Sequence, residues 1–206
     1  GYKKTHNKYG ADLVVVNTCG VRQSAENRIY GLIPRIKKEN PNVKIILTGC
    51  LAERKDVKRR LDNYVDEWMS ISQMTNIKFL LSSKALAVKE KNNKYQKNYL
   101  EIKPKYESKF SAFVPIGNGC DNFCSYCVVP YARGREVYRS AESIIGEVKN
   151  LVLQGYKEIS LIAQNVNSYK SKDFNFAKLL KTVDEIPGNF WLRFSTSHPK
   201  DLSDKL

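Results

Sequence analysis

Long apolar runs are missing from this sequence: no uninterrupted one exceeds the four residues of 13–16 (LVVV), against the roughly 20 residues a helix needs to cross a bilayer. No apolar segment opens the chain either, so a membrane span and a secretory signal are excluded within these residues. The even, dispersed cysteine pattern of a small disulfide-stapled secreted domain is also missing. There are five cysteines, an odd number, and three of them crowd into eight positions. That usage fits metal or redox chemistry in a reducing, cytoplasmic setting. Histidine is scarce, with only His6 and His198, and neither stands near the cysteines in sequence. The chain opens on Gly1 rather than Met and runs at once into a strand-like segment, so a piece upstream is expected and the chain reads as a fragment.

What is present is a globular composition. Hydrophobic residues make up 42% and aromatics 11% of 206 residues, enough for one large domain or two small ones with a real core. Lys and Arg number 35 against 21 Asp and Glu, a net charge of +14. Residues 1–107 hold 22 of those cations against 11 acids, so the excess sits mainly in the first half. Such a field favours a polyanionic partner, nucleic acid first, although lysine-rich surfaces are also simply solvated.

Alternating strand and helix signals imply an α/β fold. Residues 11–19 read as a buried strand ending in a polar turn. Residues 24–38 place Ile29, Leu32, Ile33 and Ile36 at helical spacing until Asn40-Pro41-Asn42 stops them. Residues 43–47 form the next strand, Thr48-Gly49-Cys50 the next turn, and residues 53–61 a charged helix. A parallel sheet follows from this βαβα order, with its ligand-bearing loops at the carboxyl ends of the strands. Cys19 and Cys50 hold equivalent places just beyond two such strands, so residues 31 apart could share a ligand. The alternative is that both are ordinary buried cysteines at sheet ends.

Residues 82–106, with seven lysines, two acids and Pro104, read as a basic linker between a domain at 1–81 and another at 107–206. In the second half, strands are expected at 112–116, 158–162 and 191–194, helices at 141–153 and 174–184, and a further helix from Leu202. Three βα units make a partial or open α/β barrel.

Cys120-x-x-x-Cys124-x-x-Cys127 puts three soft thiolates on one loop after a strand. Thiolates select iron-sulfur clusters or zinc, and a 4Fe-4S cluster normally takes four cysteines, so three leave one iron open to an exchangeable ligand. Zinc with a fourth ligand elsewhere is the alternative.

This spacing, with Tyr126 before the last cysteine, resembles the radical S-adenosylmethionine superfamily. The segment GCDNFCSYCVVPYARGRE (residues 119–136), with NTC (residues 17–19) and TGC (residues 48–50) upstream, resembles its methylthiotransferase family over essentially the whole chain. The resemblance implies a small parallel-sheet amino-terminal domain followed by a partial radical SAM (β/α) barrel, incomplete at both ends of this chain. It also implies two 4Fe-4S clusters and S-adenosylmethionine. One cluster would be held by Cys120, Cys124 and Cys127, the catalytic set. The other would be held by Cys19, Cys50 and a cysteine upstream of Gly1. QNVNSY (residues 164–169) and STSHP (residues 195–199) resemble the branch that acts on isopentenyladenosine at position 37 of tRNA; other branches act on threonylcarbamoyladenosine or on a ribosomal protein. Ala163 departs from the glycine usual in the family. A non-catalytic iron-sulfur or zinc module that binds RNA is the reading from another class.

Within that resemblance, the open iron chelates S-adenosylmethionine and the radical formed from it activates carbon 2 of the adenine. Sulfur comes from the second cluster and a methyl group from a second S-adenosylmethionine. Tyr126 packs near the cofactor adenine or shields the cluster. Gln164 and Asn165 meet the cofactor's methionine end or shape a strand-end turn. Ser195, Ser197 and His198 line the same mouth, unless His198 only shapes the turn before Pro199. Arg133 and Arg135 reach a cofactor carboxylate or RNA phosphate, or pair with Glu136. The partners implied are the tRNA anticodon loop, an electron donor and a sulfur source, with no membrane. The linker lysines at positions 84–105 contact phosphate or are solvated.

Overall fold

Two runs of β-branched and aliphatic residues pair in parallel at the start of the chain: β1 (Leu13–Thr18) and β2 (Lys44–Gly49), in register from Leu13 opposite Lys44 to Thr18 opposite Gly49. The protein is known from a computed structural model that describes residues 3–71, 73, 100, 102, 104–202, 204 and 206. These fall into two units, one taking in the described residues of 1–90 together with 123–133, the other those of 91–122 and 134–206. Of the basic linker expected at 82–106, all but residues 100, 102 and 104–106 lie outside the described residues.

In the first unit the crossover between β1 and β2 is α1 (Gln23–Glu39), which buries Ile29, Ile33 and Ile36 against the sheet. Helical spacing places these side chains on one face, and each stabilises by about 1.5–3 kcal/mol when fully buried. The Asn40 amide closes the last turn on the Ile36 carbonyl, and Pro41 follows. α2 (Lys55–Leu61) buries Val57 and Leu61 in the same core. A short β3 (Glu67–Trp68) pairs with β2 and gives the order β1-β2-β3. The sequence pattern missed it, because two residues have no periodicity to read. The segment 123–133 contributes α3 (Val129–Arg133).

The second unit is built on β4 (Ser111–Pro115). A two-residue hairpin, β5 (Gly117–Asn118) with β6 (Val137–Tyr138), frames the insertion that carries the cysteines. α4 (Ala141–Leu153) starts on Ser140, whose hydroxyl accepts from the Ser143 amide at 3.1 Å. It leads into β7 (Glu158–Ile162), which β4 and β10 (Trp191–Ser195) flank in parallel. The helix expected from residue 174 begins at Phe176 instead, as α5 (Phe176–Asp184). Residues 174–175 form β9 (Phe174–Asn175) against β8 (Lys170–Ser171), and Asn175 caps the helix by accepting from the Lys178 amide at 2.9 Å. No helix starts at Leu202 among the described residues. Pro199–Asp201 form a 3-10 turn there and Leu202 closes it. Ala112, Val114, Ile144, Val148, Ile159, Leu161, Leu179 and Val183 make the core between this sheet and its two helices. The α/β class and the parallel sheets expected from the sequence are therefore those of the structure.

Candidate functional site

Both candidate loops leave the carboxyl ends of parallel strands. In the first unit, the pairing of Thr18 with Gly49 puts the next residues, Cys19 and Cys50, on adjacent strand ends. The turn between them is held by one side chain. Thr18, 6% exposed, donates its hydroxyl to the Thr48 carbonyl at 2.6 Å and accepts with it from the Leu51 amide at 3.1 Å, while its carbonyl accepts from the Cys50 amide at 3.1 Å. Gly49 turns with φ +91°, which a side chain rarely adopts. Beyond it Cys50 is buried at 5% exposure and Cys19 is exposed. Gly20 keeps the space beside Cys50 open: a Cβ there would stand 3.2 Å from the Cys50 Cβ and 3.1 Å from a Leu51 methyl. Cys19 and Cys50 thus follow paired strand ends, and Gly20 lets the Cys50 and Leu51 side chains approach the turn closely.

The same unit contains Cys124 and Cys127. The Cys127 amide donates to the Cys124 carbonyl at 2.9 Å, closing a tight turn, and Phe123 enters it with φ 47°. Tyr126 is 87% exposed. Its phenol is pushed above the ordinary value chiefly by its hydrogen bond to Cys124, helped by the charges of Cys124 and Cys127. Phe123 and Tyr131 pack edge to face, with centroids 5.8 Å apart. At the end of α3, Arg133 donates through Nε to the Cys50 Sγ at 3.3 Å. The sequence had offered Arg133 to a carboxylate or a phosphate; a thiol partner 83 residues away leaves no local signal.

Cys120 belongs to the second unit, where its amide donates to the Gly134 carbonyl at 3.2 Å. Gly119 has φ +84° and lies so close to the Arg135 carbonyl that no side chain fits. Its amide donates to the Gln164 Oε1 at 2.7 Å, so Gln164 braces the root of the cysteine loop. The Asp121 and Glu136 amides each donate to the other's carboxylate at 3.3 Å, and Arg135 pairs with Asp121 at 3.4 Å rather than with Glu136. Asp201, which the sequence reading passed over, accepts from Asn165 at 2.6 Å and from Asn122 at 3.2 Å. Asn165 is 2% exposed, and its Oδ1 and both amide atoms of Asn167 are buried without a hydrogen-bond partner. Buried polar groups are ordinarily satisfied, so these atoms are what a bound polar ligand or water would complete.

Ser195 ends β10 and is exposed, as is Ser197. Thr196 between them adopts φ 70° and gives its hydroxyl to the Ala163 carbonyl at 2.5 Å, while its own carbonyl accepts from the Val166 amide at 3.0 Å. That threonine, not singled out in the sequence, stitches the two strand ends together. His198 Nδ1 accepts from the Lys200 amide at 3.2 Å, so it shapes the turn before Asp201.

The donor sets fit iron-sulfur chemistry: three partly exposed thiols within eight residues, and a separate pair at two strand ends. Among the described residues no three His, Cys, Asp or Glu side chains form a ready-made metal site. No helix among them is long and apolar enough to cross a membrane.

Residues 1–70 match the model of the uncharacterized protein family UPF0004, and residues 114–205 match that of the radical SAM superfamily. The chain is 42% identical over 220 residues to a tRNA-2-methylthio-N(6)-dimethylallyladenosine synthase of Desulfitobacterium hafniense, covering 100% of this chain and 48% of that protein. It is 42% identical over 216 residues to the protein of the same name from Clostridium perfringens, and 41% identical over 220 residues to that from Finegoldia magna. These alignments cover 99% and 100% of this chain and 48% and 47% of the two relatives. The chain thus spans about half the length of the curated relatives it matches.

Proposed function

We propose that this chain, which carries a UPF0004 domain followed by a radical SAM domain, is part of an enzyme that adds a methylthio group to carbon 2 of isopentenyladenosine at position 37 of tRNA. A radical SAM domain implies a 4Fe-4S cluster and S-adenosylmethionine, and the relatives' names imply a tRNA substrate. The observation that carries the reading is the pair of thiol sets at strand ends. Cys120, Cys124 and Cys127 follow the first strand of a parallel β/α sheet, and Cys19 with Cys50 follow β1 and β2.

In this reading Cys120, Cys124 and Cys127 would hold one 4Fe-4S cluster, three thiolates for four irons, with S-adenosylmethionine as the further ligand. A cluster held there would supply the one-electron reductive chemistry that radical SAM domains direct at S-adenosylmethionine. The chain's own residues position and shield. Tyr126 caps Cys124 with its hydroxyl. Gln164 fixes the loop root through Gly119, and the unfilled polar atoms of Asn165 and Asn167 are offered to the cofactor's methionine end. Ser195 and Ser197 stand at the end of the neighbouring strand as further cofactor contacts.

Cys19 and Cys50 would hold a second cluster, completed by a cysteine upstream of Gly1. Lysines and arginines of the first 107 residues supply the field for the phosphates of an anticodon loop, whose bases are open to stacking. An electron donor and a sulfur source complete the reaction in a cytoplasmic setting. The full-length protein, reconstituted anaerobically with iron and sulfide, is expected to methylthiolate tRNA that bears isopentenyladenosine. Activity on a ribosomal protein alone, or on threonylcarbamoyladenosine tRNA alone, would replace the substrate; iron binding without formation of 5′-deoxyadenosine would make the protein a non-catalytic module.

A further inference from the structure

Cys50 is the most deeply placed of the thiols, 5% exposed, and its backbone N–H is held by a hydrogen bond to the Thr18 carbonyl at 3.1 Å. Against that sulfur lies a permanent cation, the Arg133 Nε donating at 3.3 Å. The contact is not isolated. Val128, five residues earlier, has a methyl 3.7 Å from where a Gly20 Cβ would stand, so the segment from Val128 to Arg133 lies along the turn that joins Cys19 and Cys50. Arg133 ends α3, which starts two residues after Cys127. One short stretch of chain therefore carries Cys124 and Cys127 at its start and a guanidinium on Cys50 at its end.

We propose that Arg133 is a positioning residue for the metal centre held by Cys19 and Cys50: it fixes the Cys50 sulfur and offsets part of the negative charge of that centre. This rests on the reading that the pair holds a cluster. Hydrogen bonds to ligand sulfur and net charge are among the terms that set the reduction potential of an iron-sulfur cluster. A donor with a fixed positive charge stabilises the reduced, more negative form, so it raises the potential. Lysine preserves the charge without the planar, directed Nε–H, and methionine removes both.

The test uses the full-length protein with Cys120, Cys124 and Cys127 all changed to Ala, so that only the second centre loads. Iron content, the electron paramagnetic resonance spectrum and the potential from a redox titration are compared for the parent, Arg133→Lys and Arg133→Met, with circular dichroism as the check of folding. Expected is a more negative potential and an altered spectrum in Arg133→Met, with Arg133→Lys between the two. Loss of iron from a folded Arg133→Met that Arg133→Lys restores also supports the proposal. An iron-loaded Arg133→Met with the parent's potential and spectrum overturns it and leaves Arg133 a structural tie. If Arg133→Met does not fold, Arg133→Lys decides on the same two readouts. Failure of the underlying reading looks different: a Cys19→Ala, Cys50→Ala protein then holds as much iron as the parent, whatever stands at position 133.

Discussion

Thr18 and Gly49 are register partners, and the Thr18 carbonyl oxygen occupies the space into which any side chain at Gly49 would project. Gly49→Ala therefore meets both a steric block and a left-handed backbone at φ +91°. The expected cost is at least about 2 kcal/mol in urea unfolding, since a left-handed non-glycine residue and an overpacked site each contribute on that scale. Because the strained residue immediately precedes Cys50, the iron content assigned to the proposed Cys19–Cys50 centre should fall with it. A Gly49→Ala protein of parental stability would mean that the turn is not held as described.

Replacing Cys120, Cys124 or Cys127 singly by Ala is expected to abolish formation of 5′-deoxyadenosine and to lower the iron content of the anaerobically reconstituted full-length protein. Iron counting on the triple variant checks the assignment. A full complement of iron there would remove these residues from the ligand set.

Arg139 and Glu147 form a buried pair at 2.5 Å, with side chains 7% and 16% exposed, and Arg139 also donates to the Pro115 carbonyl at 2.9 Å. This pins the end of β4, just before the cysteine loop, to α4. Glu147→Ala strands a buried guanidinium, so a loss of about 3–5 kcal/mol is expected in denaturant unfolding. A variant within about 0.5 kcal/mol of the parent would show the pair to be solvated.

Burial, then the hydrogen bond its hydroxyl gives to Glu136, raises the Tyr138 phenol above the ordinary value of 10.0. The native state thus holds that proton more tightly than the unfolded chain does. The stabilisation is complete below the ordinary phenol value and is lost as pH rises toward the native one. Unfolding free energy should therefore decline as pH passes 10, and Tyr138→Phe should flatten the decline. Phenolate absorbance provides the check: if Tyr138 ionises together with the exposed tyrosines, its environment is not the one described.

Binding of tRNA by the full-length protein is expected to weaken steeply as salt rises, because lysine and arginine contacts to phosphate release condensed counterions. A filter-binding series at rising salt measures the slope. Affinity indifferent to salt would detach the net charge of +14 from the substrate.

Elements with a full period could be read directly from the residues. The helix expected at 141–153 is α4, and the strand at 158–162 is β7, because both bury apolar side chains at the spacing their geometry requires. The strand-end placing of Cys19 and Cys50 was equally visible, since two apolar runs each ending in a polar turn and a cysteine leave few topologies. Hidden were the pieces defined by partners instead of period. β3, β5 and β6 have two residues each. The Arg133 contact to Cys50 and the Asp201 contacts to Asn165 and Asn122 join distant segments by single hydrogen bonds, which leave no trace in local composition. Arg135 shows the limit most directly. An arginine next to Glu136 in sequence pairs instead with Asp121, because the reciprocal amide bonds of Asp121 and Glu136 set the two chain segments side by side.

The double grip of Thr18 on the turn after β2 also sets a clock. Cys50 and Leu51 lie outside any helix or strand, where amides ordinarily exchange with solvent deuterium in the first moments. Here both amides are donated to Thr18. Thr18 belongs to β1, so the exchange of these amides should be closer to that of the strand amides of β2 than to that of neighbouring loops. Exchange at that pace would place the Cys50 thiol on a turn that opens only with the sheet beneath it.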